Sequence, residues 1–495
     1  MGPSDDANAA TRETHAAVVF LVGDRAYKLK KPVDLGFLDF TTRESRQAVC
    51  RREVELNRRI APDVYLGVAD VHGPDGALCD HLVVMRRMPP QRRLISMIRT
   101  GQPVDDHVRR IARVIAAFHA TARRGPEISA EGGRDAILGR WTDSFRQVGS
   151  FRHIVLDPDL ADEIERRTLT FLAGREPLFA DRIATGRIVD GHGDLLADDI
   201  FCLDDGPRIL DCIEFDDRLR WLDGLDDAAF LAMDLERLGA ADLGRRFLDW
   251  YAEFAADPAP ESLRHHYLAY RAFVRAKVAC FRHSQGDPAA AADVTQHAEL
   301  TVAHLRAGAV ALVLVGGLPG TGKSTLAEGL ADRLGAVVLN SDRVRKELAG
   351  LPPGRAAPAA YQEGIYTDEW TERCYAELLD RAERLLQLGE SVVLDASWTR
   401  TALRARAAAL AVRTHSALVA LRCEASLAVT TARLRRRVGD VSDADVTVAA
   451  AMAAQADPWP QATTIETDAP LARCVDQAAA LVRPEPSTLA TAGRS

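Results

Sequence analysis

The stretch HGDLLADDIFCLDDGPRILDCIEF, residues 192–215, sets Asp194, Asp198, Asp199, Asp204, Asp205, Asp211 and Glu214 among short apolar runs. IFCL and RILDCIEF read as two strands turned by DDGP. A hairpin of that length returns the chain on itself, so Asp199 and Asp211 meet at its open end. Carboxylates gathered at one point suit a divalent cation or the removal of a proton from a hydroxyl.

Working outward, AAVVFLV and RAYKLKK read as a hairpin turned at Gly23-Asp24, and residues 1–14 before it as a flexible start. TTRESRQAVCRREVELNRRIA reads as a helix with Val49, Leu56 and Ile60 as core positions. VYLGVADVHGPDGALCDHLVVMRRM gives further strands about a GPDG turn, and helices fill residues 103–186. Near residue 306 the texture changes. ALVLVGG, AVVLNSD, SVVLDAS and SALVALRCE are apolar strands alternating with helices, the rhythm of a parallel α/β sheet. The expected organisation is a start at 1–14, a first domain at 15–305, a second at 306–483 and a tail at 484–495.

The 495 residues carry a formal net charge of −8, which argues against an extended nucleic-acid footprint. The eight cysteines form no C-x-x-C pair and read as free thiols of a reducing compartment. No leader pattern and no long apolar span is seen, so the expected setting is the cytoplasm, with no membrane partner.

Gly317-Leu318-Pro319-Gly320-Thr321-Gly322-Lys323-Ser324, followed by Thr325, fits G-x-x-x-x-G-K-[ST] between a strand and a helix. Backbone N–H groups of such a turn cradle phosphates, Lys323 reaches the β/γ-phosphates of ATP and Ser324 offers its hydroxyl to Mg²⁺. Asp395, ending VVLD, is placed to hold the same Mg²⁺, or to end the strand as a turn former. GLPGTGKST followed by NSDRVRKEL resembles the P-loop kinases of the polynucleotide-kinase and zeta-toxin group. That resemblance implies Asp342 as general base, or otherwise as a helix cap, and Arg345 as a substrate contact. It also implies a lid helix in TTARLRRRVGD whose Arg433 and Arg437, one turn apart, close over the transferring phosphate; Arg435 and Arg436 are alternatives.

The first half resembles the aminoglycoside-phosphotransferase and choline-kinase type of protein-kinase-like fold. HGDLLADDI stands for its catalytic loop and LDCIEFDD for its metal strand. The resemblance implies Asp194 as the base that takes the hydroxyl proton, with Asp199 and Asp211 on Mg²⁺. Asp199 stands where the family normally has Asn. RAYKLKKP implies Lys28, or else Lys30, on the ATP phosphates; CRREVELNRRI implies Glu53, rather than Glu55, as its partner. His192 would brace the loop, and Asp227 would either steady it or cap a helix together with Asp223. The whole order resembles a bacterial family of bifunctional aminoglycoside-phosphotransferase-like, P-loop ATP-binding proteins. It implies ATP and Mg²⁺ as cofactors and a small hydroxyl-bearing molecule as phosphoryl acceptor. Two other readings are a P-loop kinase regulated by a nucleotide-binding first half, and a polynucleotide 5'-kinase.

Overall fold

The computed structural model describes residues 10–13, 17–33, 39–352, 363–436 and 446–483. It divides into two compact units. The first takes residues 1–158, 180–259 and 267–301, and the second takes 159–179, 260–266 and 302–495. Two segments well before residue 302 thus fold with the second unit, and a linear division at 305/306 has no place for them. The expected tail at 484–495 lies outside the described residues.

The first unit begins with an antiparallel sheet of β1 (Ala10–Glu13), β2 (Ala17–Val22), β3 (Arg25–Lys30), β4 (Tyr65–His72) and β5 (Leu78–Arg86) in the order β1-β2-β3-β5-β4. The hairpin turns at Gly23-Asp24, where Gly23 has φ +56°. Residues 10–13 are a strand and not the frayed start expected for them: Ala10 to Glu13 pair with Leu21 to Val18. The pairing satisfies an edge of β2 that would otherwise present bare N–H and C=O groups.

Thr42 caps the following helix, Arg43–Asn57, by accepting the Ser45 N–H. The buried face of that helix is Arg46, Cys50, Glu53, Val54, Leu56 and Asn57. Leu56 is core as expected, but Val49 and Ile60 are only half-buried. The helix is turned to bring a carboxylate, Glu53, under the sheet, and the apolar positions to either side shift accordingly. Beyond it, helices Asp105–Thr121, Gly224–Arg237 and Ala241–Ala255 pack on one another. Gly224–Arg237 is buried along almost its whole length.

Two short antiparallel pairs frame the acid-rich stretch. β6 (Ile188–Asp190) pairs with β9 (Trp221–Asp223), and β7 (Ile200–Leu203) with β8 (Gly206–Ile209). The β7–β8 turn falls at Asp204-Asp205, as the sequence indicates.

In the second unit β10 (Ala311–Gly316), β11 (Val337–Asn340), β12 (Val392–Asp395), β13 (Ala417–Glu424) and β14 (Thr463–Glu466) form a wholly parallel sheet, β11-β12-β10-β13-β14. Every residue of β10 and β12 is buried, which explains their unbroken apolar sequence. The four strands expected from sequence are present. β14, TTIE, has no such apolar run because it closes the edge of the sheet.

In the first unit the buried Arg182 guanidinium bridges Asp223 (2.7 Å) and Asp257 (2.6 Å), and Tyr267 donates to Asp223 at 3.1 Å. Removing one member of such a cluster leaves buried charge unpaired. Arg182→Met is expected to lower unfolding stability by about 3–5 kcal/mol, read from urea denaturation of the whole chain. A loss under about 1 kcal/mol would show that the cluster is hydrated rather than sealed.

Candidate active site

In the first unit, β3 alternation points Lys28 and Lys30 to the same side. Lys28 Nζ lies 2.9 Å from Glu53 Oε1 and 2.5 Å from Asp211 Oδ1. Lys30 Nζ lies 2.6 Å from Glu53 Oε2 and 2.5 Å from Glu214 Oε1. Glu53 is fully buried, whereas Glu55 is exposed and pairs with Arg52. Both lysines named from sequence therefore reach Glu53, and Lys28 alone of the two also reaches Asp211. Burial works against the Lys28 ammonium, but Asp211, Glu53 and Glu214 hold it well above its ordinary range. Burial likewise opposes ionisation of Glu53, and the two lysines reverse that and lower its pKa.

Asp211 sits two residues after the end of β8 with φ +66°, a conformation few non-glycine residues adopt. It is pinned there: its N–H donates to the Tyr65 hydroxyl (3.1 Å), and the Cys212 N–H donates to Asn57 Oδ1 (3.0 Å). The Leu210 N–H donates to the Asp199 carbonyl at 3.0 Å, closing the open end of the hairpin with Asp199 and Asp211 on either side. Asp199 is pushed well above the usual carboxylate range by burial, then by Asp211 and Asp194. Burial, with a contribution from Asp211 and against Arg275 and Arg271, pushes Asp194 up to about 6.

The loop carrying Asp194 is held by Asp227. Its carboxylate accepts the His192 N–H (2.6 Å), the Gly193 N–H (2.9 Å) and His119 Nε2 (3.0 Å). These contacts hold Asp227 far below the usual carboxylate range despite its burial. Asp223 caps the helix by accepting the Leu225 N–H. The pair thus divides two tasks that the sequence left as alternatives. His192 is wedged in the backbone, with Nε2 at 3.1 Å from the Leu210 carbonyl and Nδ1 at 3.3 Å from the Asp194 N–H. Burial lowers its pKa to about 4, so the ring is neutral at pH 7. Glu214 was named from sequence only as one of the acids of its stretch, and Asn57, Tyr65 and His119 were not singled out. Asn57 left a signal, a polar residue four places after Glu53 on the buried face of one helix.

In the second unit the P-loop leaves the end of β10, and helix Lys323–Leu334 starts at its lysine. Gly320 (φ +86°) and Gly322 (φ +83°) adopt left-handed backbone. Neighbours also crowd both: a Cβ at Gly320 would stand 3.0 Å from Leu434, and one at Gly322 would stand 3.1 Å from Arg433 Nη1. Helix Leu427–Arg436 therefore lies over the loop and presents Arg433, which donates to the Thr467 carbonyl at 2.7 Å. Thr467 in turn donates to the Thr321 carbonyl at 2.6 Å. Arg437 lies outside the described residues.

Asp395, at the end of β12, is 1% exposed and accepts Asn340 Nδ2 at 2.6 Å. Ser324 approaches the same carboxylate, yet Oδ1 is buried with no well-formed hydrogen bond. Burial raises its pKa, against the pull of Lys323. An orphaned buried oxygen beside a P-loop serine fits a Mg²⁺ ligand. Among the described residues no cluster of three or more His, Cys, Asp or Glu side chains is arranged to hold a metal. Mg²⁺ commonly takes one or two carboxylates and completes its shell with phosphates and water, which is what Asp395 with Ser324, and Asp199 with Asp211, can supply.

Asp342 lies in the first turn of helix Ser341–Leu348, whose cap is Asn340 and not Asp342. Arg345 departs from its expected place as a substrate contact. It is buried, its Nη1 donates to the Ile365 carbonyl (2.9 Å), and its guanidinium lies 5.1 Å over the Tyr366 ring. Three residues after Asp342 the helix has turned that side chain into the packing.

A family model described as an AAA domain matches residues 312–459. The uncharacterized protein Rv2004c of Mycobacterium tuberculosis (strain ATCC 25618 / H37Rv) is 47% identical over 475 residues, covering 96% of this chain and 95% of that one. The chain belongs to that protein's family. The match runs through both units, so their pairing is a family property. Solved structures that resemble parts of the chain include a sugar kinase from Janibacter sp. HTCC2649, 19% identical, covering 35% of this chain and 94% of that one, with TM-score 0.28. Another is a choline/ethanolamine kinase family protein from Mesorhizobium loti, 15% identical, covering 61% and 92%, with TM-score 0.39. The fold of each unit is read from its own strands: a protein-kinase-like unit with an antiparallel sheet, and a P-loop unit with a five-stranded parallel sheet. No helix among the described residues is long and apolar enough to cross a membrane.

Asp227→Asn removes the charge that holds the His192 and Gly193 amides. Charge-assisted hydrogen bonds contribute about 1.5–3 kcal/mol, so hydrogen exchange at those two amides is expected to quicken at least about tenfold. Unchanged exchange would mean that the loop is held by His192 alone.

Proposed function

We propose that the chain is an ATP-dependent phosphotransferase with two sites, each moving a γ-phosphoryl group to a small hydroxyl-bearing acceptor. The observation that carries this reading is the gathering of Asp395, Ser324 and Arg433 around the P-loop turn that presents Lys323. The joined Lys28, Glu53 and Asp211 with the braced Asp194 loop support a second site.

In the P-loop unit the loop amides and Lys323 hold the phosphates, Arg433 offsets charge spreading over the phosphoryl oxygens, and Asp342 takes the acceptor proton. Arg437 is the second lid arginine on the grounds of its sequence position. Arg345 has no part in this reading. In the first unit Lys28 orients phosphates, Asp194 takes the proton, and Asp199 with Asp211 hold the metal. Mg²⁺, when bound, neutralises charge on the phosphate oxygens. We place the protein in the cytoplasm, with a small molecule rather than a polynucleotide as acceptor, because the net charge of −8 disfavours a phosphate backbone.

A second reading makes the first unit a nucleotide-sensing regulator of the P-loop unit. Asp199, in place of the Asn implied by resemblance, favours it. Calorimetric titration of Mg·ATP into the whole chain separates the two readings from a simpler one. Two sites in the native chain falling to one in Lys323→Ala are expected if both units bind nucleotide. A single site that vanishes would overturn nucleotide binding by the first unit.

A pH profile then separates catalysis from sensing. In the Lys323→Ala chain, ATP consumption by the first unit needs Asp194 as a carboxylate. Its kcat/KM is expected to be flat above pH 6 and to fall tenfold per unit below, because protonation at about pH 6 removes the base. Asp194→Asn is expected to reduce kcat by about 10²–10⁴-fold. A rate unaffected by both changes leaves the first unit as a sensor.

A further inference from the structure

The second unit contains a cavity of about 490 Å³, within the range of metabolite sites. Its lining includes Gly308 to Val310, which lead into β10, and His415 to Leu418, at the start of β13. The cavity therefore lies at the amino-terminal edge of the parallel sheet. β10 is six residues long, so the P-loop is roughly 20 Å away at about 3.3 Å per residue, and no P-loop residue lines the cavity. Open parallel sheets ordinarily bind ligands at the opposite, carboxyl edge.

The charge of the lining is one-sided. Arg166, Arg167 and Arg175 contribute to it, and no Asp or Glu does. Arg167 shares a single carboxylate, Glu163, with Arg306, each at 2.6 Å. Arg175 is 1% exposed. Its Nη1 donates to the carbonyls of Gly174 (2.9 Å) and Thr414 (2.6 Å), and its Nη2 lies 3.4 Å from the Ser416 hydroxyl. Its Nε is buried with no hydrogen bond. Burial alone sets its pKa, down to about 10, so no carboxylate offsets this cation. Thr414 ends helix Thr401–Arg413, and capping that helix accounts for Nη1. It leaves Nε and the net positive lining without a purpose, although an uncompensated buried charge is costly.

The rest of the lining mixes apolar surface with the hydroxyls of Thr170, Ser262 and Ser416 and the rings of His266, His304 and His415. Phe171 stacks on His266 with centroids 4.5 Å apart and planes at 15°, and the Arg175 guanidinium lies 5.6 Å over the same Phe171 ring. Ala411 and Val310 add aliphatic surface.

We infer that this cavity is a second ligand site of the P-loop unit, taking a small organic phosphate whose ring or hydrocarbon body lies against Val310, Ala411 and Leu418 and whose phosphate meets Arg175, Arg166 and Arg167. Guanidinium forks match phosphate oxygens in geometry and charge, and three of them suit a doubly charged anion better than a single carboxylate.

The test uses phenyl phosphate as probe and the whole chain, with a non-hydrolysable ATP analogue and Mg²⁺ saturating the nucleotide sites. Calorimetry is expected to show one phenyl phosphate site, with benzyl alcohol, which lacks the charge, not binding. Arg175→Met is expected to weaken binding at least tenfold. Arg166→Ala, on the exposed rim, is expected to weaken it about threefold with no change in melting temperature. Ala408→Phe, which fills the cavity from its wall, is expected to abolish it. Should Arg175→Met fail to fold, the Arg166 and Ala408 variants decide. No phenyl phosphate binding, or equal affinity in all three variants, would overturn the inference and leave Arg175 as a helix cap.

Discussion

Lys28 carries one ammonium into the interior of the first unit, where it meets Glu53 from a helix and Asp211 from the end of a hairpin. Three elements far apart in sequence are tied at that nitrogen. An ammonium buried alone would be neutralised or expelled, so helix Arg43–Asn57 must present Glu53 inward, and the chain after β8 must bend back toward β3. The bend places Asp211 at φ +66°, and Tyr65 and Asn57 hold it there. Lys30 repeats the device with Glu53 and Glu214. Even so, the region sets the five carboxylates of Glu53, Asp194, Asp199, Asp211 and Glu214 against two ammonium groups, with Arg271 and Arg275 acting on Asp194. The surplus negative charge is what a divalent cation, arriving with phosphates, would offset.

Under the proposed function the P-loop unit would meet the same phosphates with less charge and more backbone. Among its described residues one acid is deeply buried, Asp395, which accepts from Asn340 with Ser324 close by, and the rest of the cradle is a glycine turn. Positive φ at Gly320 and Gly322 is needed to aim amides at one point, and close approach of the overlying helix makes a side chain at either position unwelcome. One unit therefore relies on side-chain ion pairs spread over about 190 residues. The other relies on a contiguous strand, turn and helix.

That difference decides what was legible in the sequence. The P-loop, its parallel strands and Asp395 could be read because their meaning lies in adjacent residues and in unbroken apolar runs. The β7–β8 hairpin was legible for the same reason, through its turn. The choice of Glu53 required a comparison over distance, and it emerged only as a resemblance until burial separated it from Glu55. Arg345 misled because an i, i+3 spacing places two side chains near each other without saying which one faces the core. His119 could not have been found. It reaches Asp227 across 108 residues through helix packing, and nothing local distinguishes it from any histidine in an amphipathic helix. The two segments 159–179 and 260–266 fold with the second unit for reasons of packing that leave no mark on composition.

Asp199 is the place where these lines meet. Asparagine there would accept a metal through its carbonyl and add no charge. Aspartate adds a negative charge beside Asp194 and Asp211, and burial with those neighbours pushes its pKa well up. A protonated aspartic acid has nearly the shape and the neutrality of asparagine. Burial and these neighbours favour the protonated form, which would relieve the first unit of the extra charge. If Asp199 holds the Mg²⁺ of the proposed first site, it would have to ionise, because a coordinating carboxylate carries its charge. An aspartate here would then couple metal capture to proton release, while its main-chain carbonyl, bonded to the Leu210 N–H, keeps its place in the hairpin. A carboxylate added to a site already rich in acid would bear directly on how tightly a cation is drawn in.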